Sequence, residues 1–266
     1  TKKIVFDSLG KNSFAVVNRD DRNAEYMIQN TKANIYTYSL KSKSNFSCRI
    51  IEQQLDGMLL SIDNSEIWTK LIGNFNASNI LAIYSVGRIY NLDKINLLTV
   101  ISNLESVVGR LQSFLSTNKV TVIIDYAHTP DAIENVISTI NNIKKSNQNL
   151  ITVIGCGGDR DKDKRAIMGK ISTDLSSRVI FTSDNPRSED PQSIIDDMVQ
   201  GVSNFNNDKV LIEVERKKAI KQAKENSVKG DIVLIAGKGH EDYQELNNNE
   251  RIYFDDFKIA KEIFNK

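Results

Sequence analysis

Apolar and polar positions fall into two regimes along this chain. Residues 13–18 (Ser-Phe-Ala-Val-Val-Asn) read as a buried strand. The stretches 34–39, 46–53, 57–63 and 66–72 alternate or cluster β-formers around the turn residues Asp56-Gly57 and Asp63-Asn64. Helical patterns come next, near 76–90 and 93–105, and Gly109-Arg110 closes the segment. Residues 1–112 therefore read as a β-rich piece ending in helices, with no closed architecture evident from the pattern alone.

From residue 119 the pattern becomes regular. Short apolar strands are expected at 120–124, 150–154, 179–181, 210–212 and 232–235, with helical segments between them. Ile133, Val136, Ile137, Ile140 and Ile143 make one stripe at helix spacing. Thr129-Pro130 and Asp190-Pro191 each place a capping side chain before a proline at the first helical position. Continuous apolar strands alternating with amphipathic helices predict a parallel or mostly parallel sheet covered on both faces, so residues 113–266 read as a doubly wound α/β domain. There are no repeats, and the tract Asn247-Asn248-Asn249 is expected to be a turn.

Composition narrows the class. A chain of 266 residues allows one large domain or two modest ones, and 40% hydrophobic with 26% charged residues is a mix that buries a core. A disordered tail, a collagen and a small disulfide scaffold are excluded. Lys plus Arg (35) nearly cancel Asp plus Glu (34), so no net field recruits nucleic acid or an anionic membrane. No apolar run approaches the roughly 18–20 residues of a membrane span, so no membrane insertion is expected. Cys48 and Cys156 lie far apart without ligand spacing, which fits a reducing cytosol and a cytoplasmic protein. The chain opens Thr-Lys-Lys without an initiator Met, as a fragment of something longer would.

In an open α/β sheet, ligands bind beyond the carboxyl ends of the strands. Four polar loops come directly after predicted strands: Asp125-Tyr126-Ala127-His128-Thr129-Pro130, Gly155-Cys156-Gly157-Gly158-Asp159-Arg160, Ser183-Asp184-Asn185-Pro186-Arg187 and Gly237-Lys238-Gly239-His240-Glu241. Both histidines and five of the 13 glycines lie in them. Each loop alone has a plain reading: a tight turn, a helix cap, or the solvated charge run Asp159-Arg160-Asp161-Lys162. Four on one sheet edge predict a binding site. Gly155-Cys156-Gly157-Gly158 is not a dinucleotide fingerprint, and no Walker A loop occurs in the chain. Arginines, a histidine, carboxylates and a lysine suit a zwitterionic ligand, because a guanidinium fork matches a carboxylate and a carboxylate matches an ammonium.

These loops, together with Gly73-Asn74-Phe75-Asn76-Ala77-Ser78-Asn79 and Gly109-Arg110, resemble the MurE branch of the Mur ligases along the whole chain. The resemblance implies an α/β fold: the end of the Mur-ligase central ATPase domain over 1–112, then a Rossmann-like, doubly wound carboxy-terminal domain over 113–266. It implies a cytoplasmic enzyme of peptidoglycan biosynthesis, and so of cell wall biogenesis, cell shape, cell division and the cell cycle. In that chemistry ATP phosphorylates the terminal carboxylate of the UDP-N-acetylmuramoyl dipeptide, and the amine of the incoming amino acid attacks the acyl phosphate. Asp-Asn-Pro-Arg at 184–187 resembles the loop of members that add meso-diaminopimelate. Carried over by position, Arg160, Asp184, Asn185, Pro186, Arg187, Gly237 and Glu241 would hold that amino acid, with Arg187 on its distal carboxylate and Glu241 on its distal ammonium.

By the same matching, Asn76, Asn79 and Arg110 would face ATP, while Asp125 and His128 would be catalytic, lining the nucleotide-to-acceptor junction. Lys2 lies where the family carries a carbamylated lysine that helps hold Mg²⁺. Leu111-Gln112 departs from the acidic residue often found after Gly-Arg. The family's amino-terminal substrate domain and its phosphate loop are missing, so the expectation is a fragment, inactive alone and monomeric. The rivals are a ligase adding lysine or another amino acid, a folylpolyglutamate synthetase lacking Asp-Asn-Pro-Arg, and a non-catalytic amino-acid-binding fragment.

Overall fold

The computed structural model describes residues 2–202, 209–247 and 250–266; Asn248 and Asn249 of the expected turn lie outside them. The chain divides into two compact units, Thr1–Glu105 and Ser106–Lys266. The division falls seven residues before the expected 112/113 boundary. Its cause is local: Leu111 N donates to Asp125 Oδ2 at 2.8 Å and Gln112 pairs with Ile124 in a ladder, so residues 106–112 pack with the second unit.

The first unit runs α1 (Lys2–Asp7), β1 (Phe14–Asn18), α2 (Ala24–Ile28), β2 (Asn34–Ser39), β3 (Phe46–Gln54), β4 (Gly57–Ile62), β5 (Ser65–Thr69), α3 (Asn74–Ile89) and α4 (Lys94–Ser102). Its strands form one sheet in the order β1-β2-β3-β4-β5. The β1–β2 and β2–β3 pairs are parallel, whereas β3–β4 and β4–β5 are antiparallel hairpins. The β4–β5 turn places both Asp63 and Asn64 at positive φ (45° and 64°), the conformation that matches strand twist in a two-residue hairpin. Alternate β4 residues Met58, Leu60 and Ile62 bury against Ile80, Leu81 and Tyr84 of α3 and Leu98 and Ile101 of α4. The closure that the pattern alone did not make evident comes from two helices, which cover one face of the sheet. The short α1 and α2 bury at most one residue each, so hydrophobic periodicity gives no sign of them.

The second unit runs β6 (Gln112–Leu115), β7 (Thr121–Asp125), α5 (Pro130–Ile143), β8 (Leu150–Ile154), α6 (Asp163–Leu175), β9 (Arg178–Phe181), α7 (Pro191–Val199), β10 (Val210–Ile212), α8 (Arg216–Glu225), β11 (Ile232–Ala236), β12 (Tyr243–Glu245), β13 (Arg251–Tyr253) and α9 (Asp256–Phe264). The main sheet has the order β10-β9-β8-β11-β7-β6, parallel except for β6. Strands β8 and β11 are buried at every position, as expected of strands covered on both faces. The caps form as the sequence predicts: Thr129 accepts from Ala132 N and Asp190 from Ser193 N, each before a proline. Helix α5 buries Ile133, Val136, Ile137 and Ile140 against the sheet, each contributing about 1.5–3 kcal/mol by removal from water. Because β11 inserts between β8 and β7, the chain order reverses there, and the loops after β7, β8, β9 and β11 open on the same edge. Among the described residues, no helix is long and apolar enough to cross a membrane.

Candidate functional site

The loop after β9 is the centre of the arrangement. Asp184 and Asn185 are buried, with Arg187 partly exposed at the loop's end. From the loop after β11, Lys238 enters fully buried. Its Nζ donates to Asn185 Oδ1 at 2.7 Å and to Tyr243 O at 2.8 Å, and pairs with Asp184 Oδ1 at 3.3 Å and Glu241 Oε2 at 3.8 Å. This buried ammonium decides the orientation of the Asn185 amide. With Oδ1 committed to Lys238, Nδ2 turns to Glu241 Oε2 at 2.9 Å. Glu241 also accepts from the Tyr126 hydroxyl at 3.4 Å, and burial first, then the Glu241 charge, raises the Tyr126 phenol above its ordinary range.

Gly237 has a steric role here. Its φ is +116°, and a Cβ there would lie 2.4 Å from Asp184 Oδ2, so only glycine lets the two loops meet. Gly109 makes a similar approach from the start of the unit, where a Cβ would fall 2.2 Å from the Gly239 carbonyl carbon. That contact seats Arg110, whose guanidinium lies 4.8 Å from the centre of the Tyr126 ring. The rings of His128 and His240 pack against the same tyrosine at 4.5 and 5.0 Å. His128 Nδ1 lies 2.7 Å from Tyr126 O, so that nitrogen carries the proton and Nε2 is left as an acceptor.

Asp125 has both carboxylate oxygens engaged by backbone N–H groups. Its Oδ2 accepts from Leu111 N and its Oδ1 from Ala127 N, both at 2.8 Å. Burial raises its carboxyl above the ordinary value, against the pull of those two N–H groups. It ties the Gly109–Leu111 turn to the end of β7. Arg160 is exposed, and its Nη1 reaches only the carbonyl of Asp159, at 3.2 Å. The structure thus gathers Asp184, Asn185, Pro186, Arg187, Gly237 and Glu241 in one place, with Arg110, Asp125 and His128 around the neighbouring Tyr126. Lys2, Asn76 and Asn79 belong to the other unit: Lys2 is exposed on α1, Asn76 Nδ2 donates to Ile72 O at 2.9 Å, and Asn79 is exposed on α3.

Three groups carry no role in the sequence reading. Lys238 figures there only as the lysine of a loop suited to a zwitterionic ligand, with no contact assigned to it. Glu245 lies outside every motif, yet its carboxylate holds Arg187 Nε at 2.9 Å. Arg165, with no exposed side chain, joins Glu189 at 2.8 Å and Asp197 at 2.9 Å and so fastens α6 to the last turn of α7 and to the loop before it. A signal for Arg165 did exist: it shares the buried α6 stripe with Met168, Gly169 and Ser172. Glu189 Oε1 in turn accepts from Asp159 N at 2.6 Å, so the run Asp159–Lys162 is anchored rather than simply solvated.

The Arg165 contact, ahead of lesser effects, holds the Glu189 carboxyl down at about 2. A carboxyl lowered in the folded state contributes stability that is complete above its unfolded value near 4.5 and is lost as pH falls toward 2. Glu189→Gln should therefore lower unfolding free energy at pH 7 by about 2 kcal/mol, since Asp197 still partners the buried arginine. Urea melts at pH 7 and pH 3 check this: the gap between variant and parent should shrink at the lower pH.

The Mur ligase middle domain matches residues 1–87, and the Mur ligase, glutamate ligase domain matches residues 109–239. The UDP-N-acetylmuramoyl-L-alanyl-D-glutamate–2,6-diaminopimelate ligase of Bacteroides thetaiotaomicron is 46% identical over 264 residues, which is 99% of this chain and 55% of that protein. The enzyme of the same name from Bacillus cereus is 38% identical over 271 residues, 98% of this chain and 54% of that one. A solved structure titled as that ligase superposes with a TM-score of 0.67 at 34% identity, covering 99% of this chain and 55% of its own. Folylpolyglutamate synthase from Thermotoga maritima (TM-score 0.65, 18% identity, 86% of this chain and 52% of that one) shares the fold. The chain spans about half the length of the curated relatives it matches. With both domain types matched in chain order and the loops gathered on one sheet edge, the chain belongs to the Mur ligase family.

Proposed function

We propose that this chain is the amino-acid-binding portion of an ATP-dependent ligase that adds meso-diaminopimelate to UDP-N-acetylmuramoyl-L-alanyl-D-glutamate in cytoplasmic peptidoglycan biosynthesis, acting as a monomer. The observation that carries the reading is Arg187, held at the edge of a polar site that also presents Glu241 and Asn185. A guanidinium fork and a carboxylate are the complementary pair for the far end of an amino acid bearing both carboxylate and ammonium. A lysine-adding enzyme has no use for the fork, because its substrate lacks the distal carboxylate.

Each group then has a task. Arg187 receives the distal carboxylate, and Glu241 the distal ammonium. Lys238 keeps the Asn185 amide turned and offsets half of the negative charge of Asp184 and Glu241. Asp125 fixes the turn that carries Arg110, and His128 offers Nε2 as an acceptor at the same edge. Arg160, exposed beside the site, adds a further cation for the ligand's carboxylates. ATP, when bound, supplies the phosphoryl group that activates the acceptor carboxylate. Arg110 suits its phosphates, and the two carboxamides Asn76 and Asn79, which both donate and accept hydrogen bonds, suit a base edge. Among the described residues no group of three or more His, Cys, Asp or Glu is gathered to hold a metal. Lys2, exposed on α1, would hold Mg²⁺ only as a carbamate, which would supply an oxygen donor of the kind that ion prefers.

Positioned phosphates supply most of the catalysis in phosphoryl transfer, and no phosphate loop is present in these 266 residues. The expected result is therefore binding without turnover. Calorimetry with meso-diaminopimelate should show a single site, and addition of ATP, Mg²⁺ and the UDP-muramoyl dipeptide should yield no peptide bond. Ligation by this chain alone would overturn the second expectation, and absence of any heat with the amino acid would sink the first.

A further inference from the structure

Strand β12 is three residues long, yet Gln244 and Glu245 grip the loop after β9 along its whole length. Gln244 Nε2 donates to Asp184 O at 2.6 Å and to Ser183 Oγ at 3.2 Å. Glu245 N donates to Asn185 Oδ1 at 2.9 Å, and Glu245 O accepts from Arg187 N at 3.1 Å. Arg187 has a φ of +52°, a conformation that side-chain-bearing residues seldom adopt and that persists only where its surroundings impose it. Glu245 is what imposes it, since it binds this residue through both backbone and side chain.

The side-chain contact has a directional consequence. A guanidinium carries five N–H donors. Nε donates to Glu245 Oε2 at 2.9 Å, and Nη1 donates to Gly158 O at 2.8 Å. The donors that remain lie at the Nη end, so the fork can meet an incoming carboxylate only end-on. Charge is arranged to the same effect. Glu245 also faces Arg251 at 3.5 Å, and that arginine lies 4.4 Å from the centre of the Tyr243 ring. Two cations thus share one carboxylate, which leaves a positive surplus for an anion.

We propose that Glu245 is a positioning residue that sets amino-acid specificity: it aims the free Nη donors of Arg187 at the place that receives the distal carboxylate. The proposal rests on the reading of Arg187 as the carboxylate fork. The opposite role, a competitor that the ligand must displace, does not suit Glu245. Its side chain is only 13% exposed and its backbone is bound on both sides, so it has nowhere to swing.

The test uses the 266-residue chain with E245Q and E245D, each first confirmed to be folded by circular dichroism. Calorimetry with meso-diaminopimelate and with L-lysine reads affinity, and the ¹⁵N-resolved Arg187 Nε–H resonance reads the aim of the side chain without any ligand. E245Q should weaken diaminopimelate about ten- to a hundredfold, the range of a charge-assisted hydrogen bond, and leave lysine unchanged. E245D should recover part of the loss, and the Nε–H proton should lose its exchange protection in E245Q alone. Unchanged or tighter binding of diaminopimelate to E245Q would overturn the proposal, as would equal losses for both amino acids. If the unaltered chain binds neither, the ligand reading has failed. The positioning claim then stands or falls on whether E245Q frees the Nε–H.

Discussion

Arg187→Ala in the full-length enzyme of the proposed function is expected to cut kcat/KM for meso-diaminopimelate by about 10⁴–10⁵-fold and to leave kcat/KM for lysine nearly unchanged. The two amino acids differ by one carboxylate, so discrimination has to come from the groups that recognise it. A site built around such a contact rejects the analogue lacking it by that factor, because the Nη donors meant for the carboxylate are left without it. At about 1.4 kcal/mol per tenfold change this corresponds to about 6–7 kcal/mol. Arg187→Lys should not restore the loss. A lysine ammonium has no Nε to engage Glu245 and no planar edge to offer the ligand. Steady-state kinetics with both amino acids decides the matter: equal discrimination in parent and variant would place selectivity elsewhere. A parallel thermal melt is needed, since the variant also releases the hold of Glu245 on the side chain.

The second large effect belongs to a buried pair beneath the site loops. Arg216 and Asp256 have no exposed side chain, and their contacts are bidentate, Nη2 to Oδ2 at 2.7 Å and Nε to Oδ1 at 2.9 Å. Arg216 Nη2 also donates to Ala236 O at 2.9 Å, and Nη1 to Ser183 O at 3.4 Å. The guanidinium therefore ties the carboxyl ends of β9 and β11, from which the two central loops of the site depart. Asp256→Asn keeps the shape and removes the compensating charge, leaving a buried cation. Such a loss destabilises by about 3–5 kcal/mol. In a unit of this size each kcal/mol moves the midpoint by about 2–4 °C, so Tm should drop by about 10 °C. Calorimetric scanning checks this, and a shift under about 2 °C would mean that the pair is dispensable.

Neither Arg216 nor Asp256 carries a sequence signal, because each sits where an amphipathic helix begins and reads there as an ordinary polar end. The same limit explains the other omissions. Strand β6 is four residues with alternate burial, too short for periodicity to separate from a loop. Strands β12 and β13 pair only with each other and take their importance from the loop they hold.

What the sequence determined by itself is what depends on near neighbours in the chain. The parallel strands of the second unit declared themselves as continuous apolar runs, because both faces of such strands are buried. The starts of α5 and α7 came from a capping side chain and a proline, which act within four residues. The convergence of Asp184–Arg187 with Gly237–Glu241 was foreseeable from the rule that ligands sit beyond strand ends. Only the tertiary structure decided how those residues are set against each other. That Lys238 turns the Asn185 amide, that Glu245 aims Arg187, and that Asp125 commits an oxygen to the Leu111 N–H are contacts between positions 14 to 58 residues apart. Hydrogen-bond geometry and burial at that range are properties of the packed sheet edge, and no local pattern of residues encodes them.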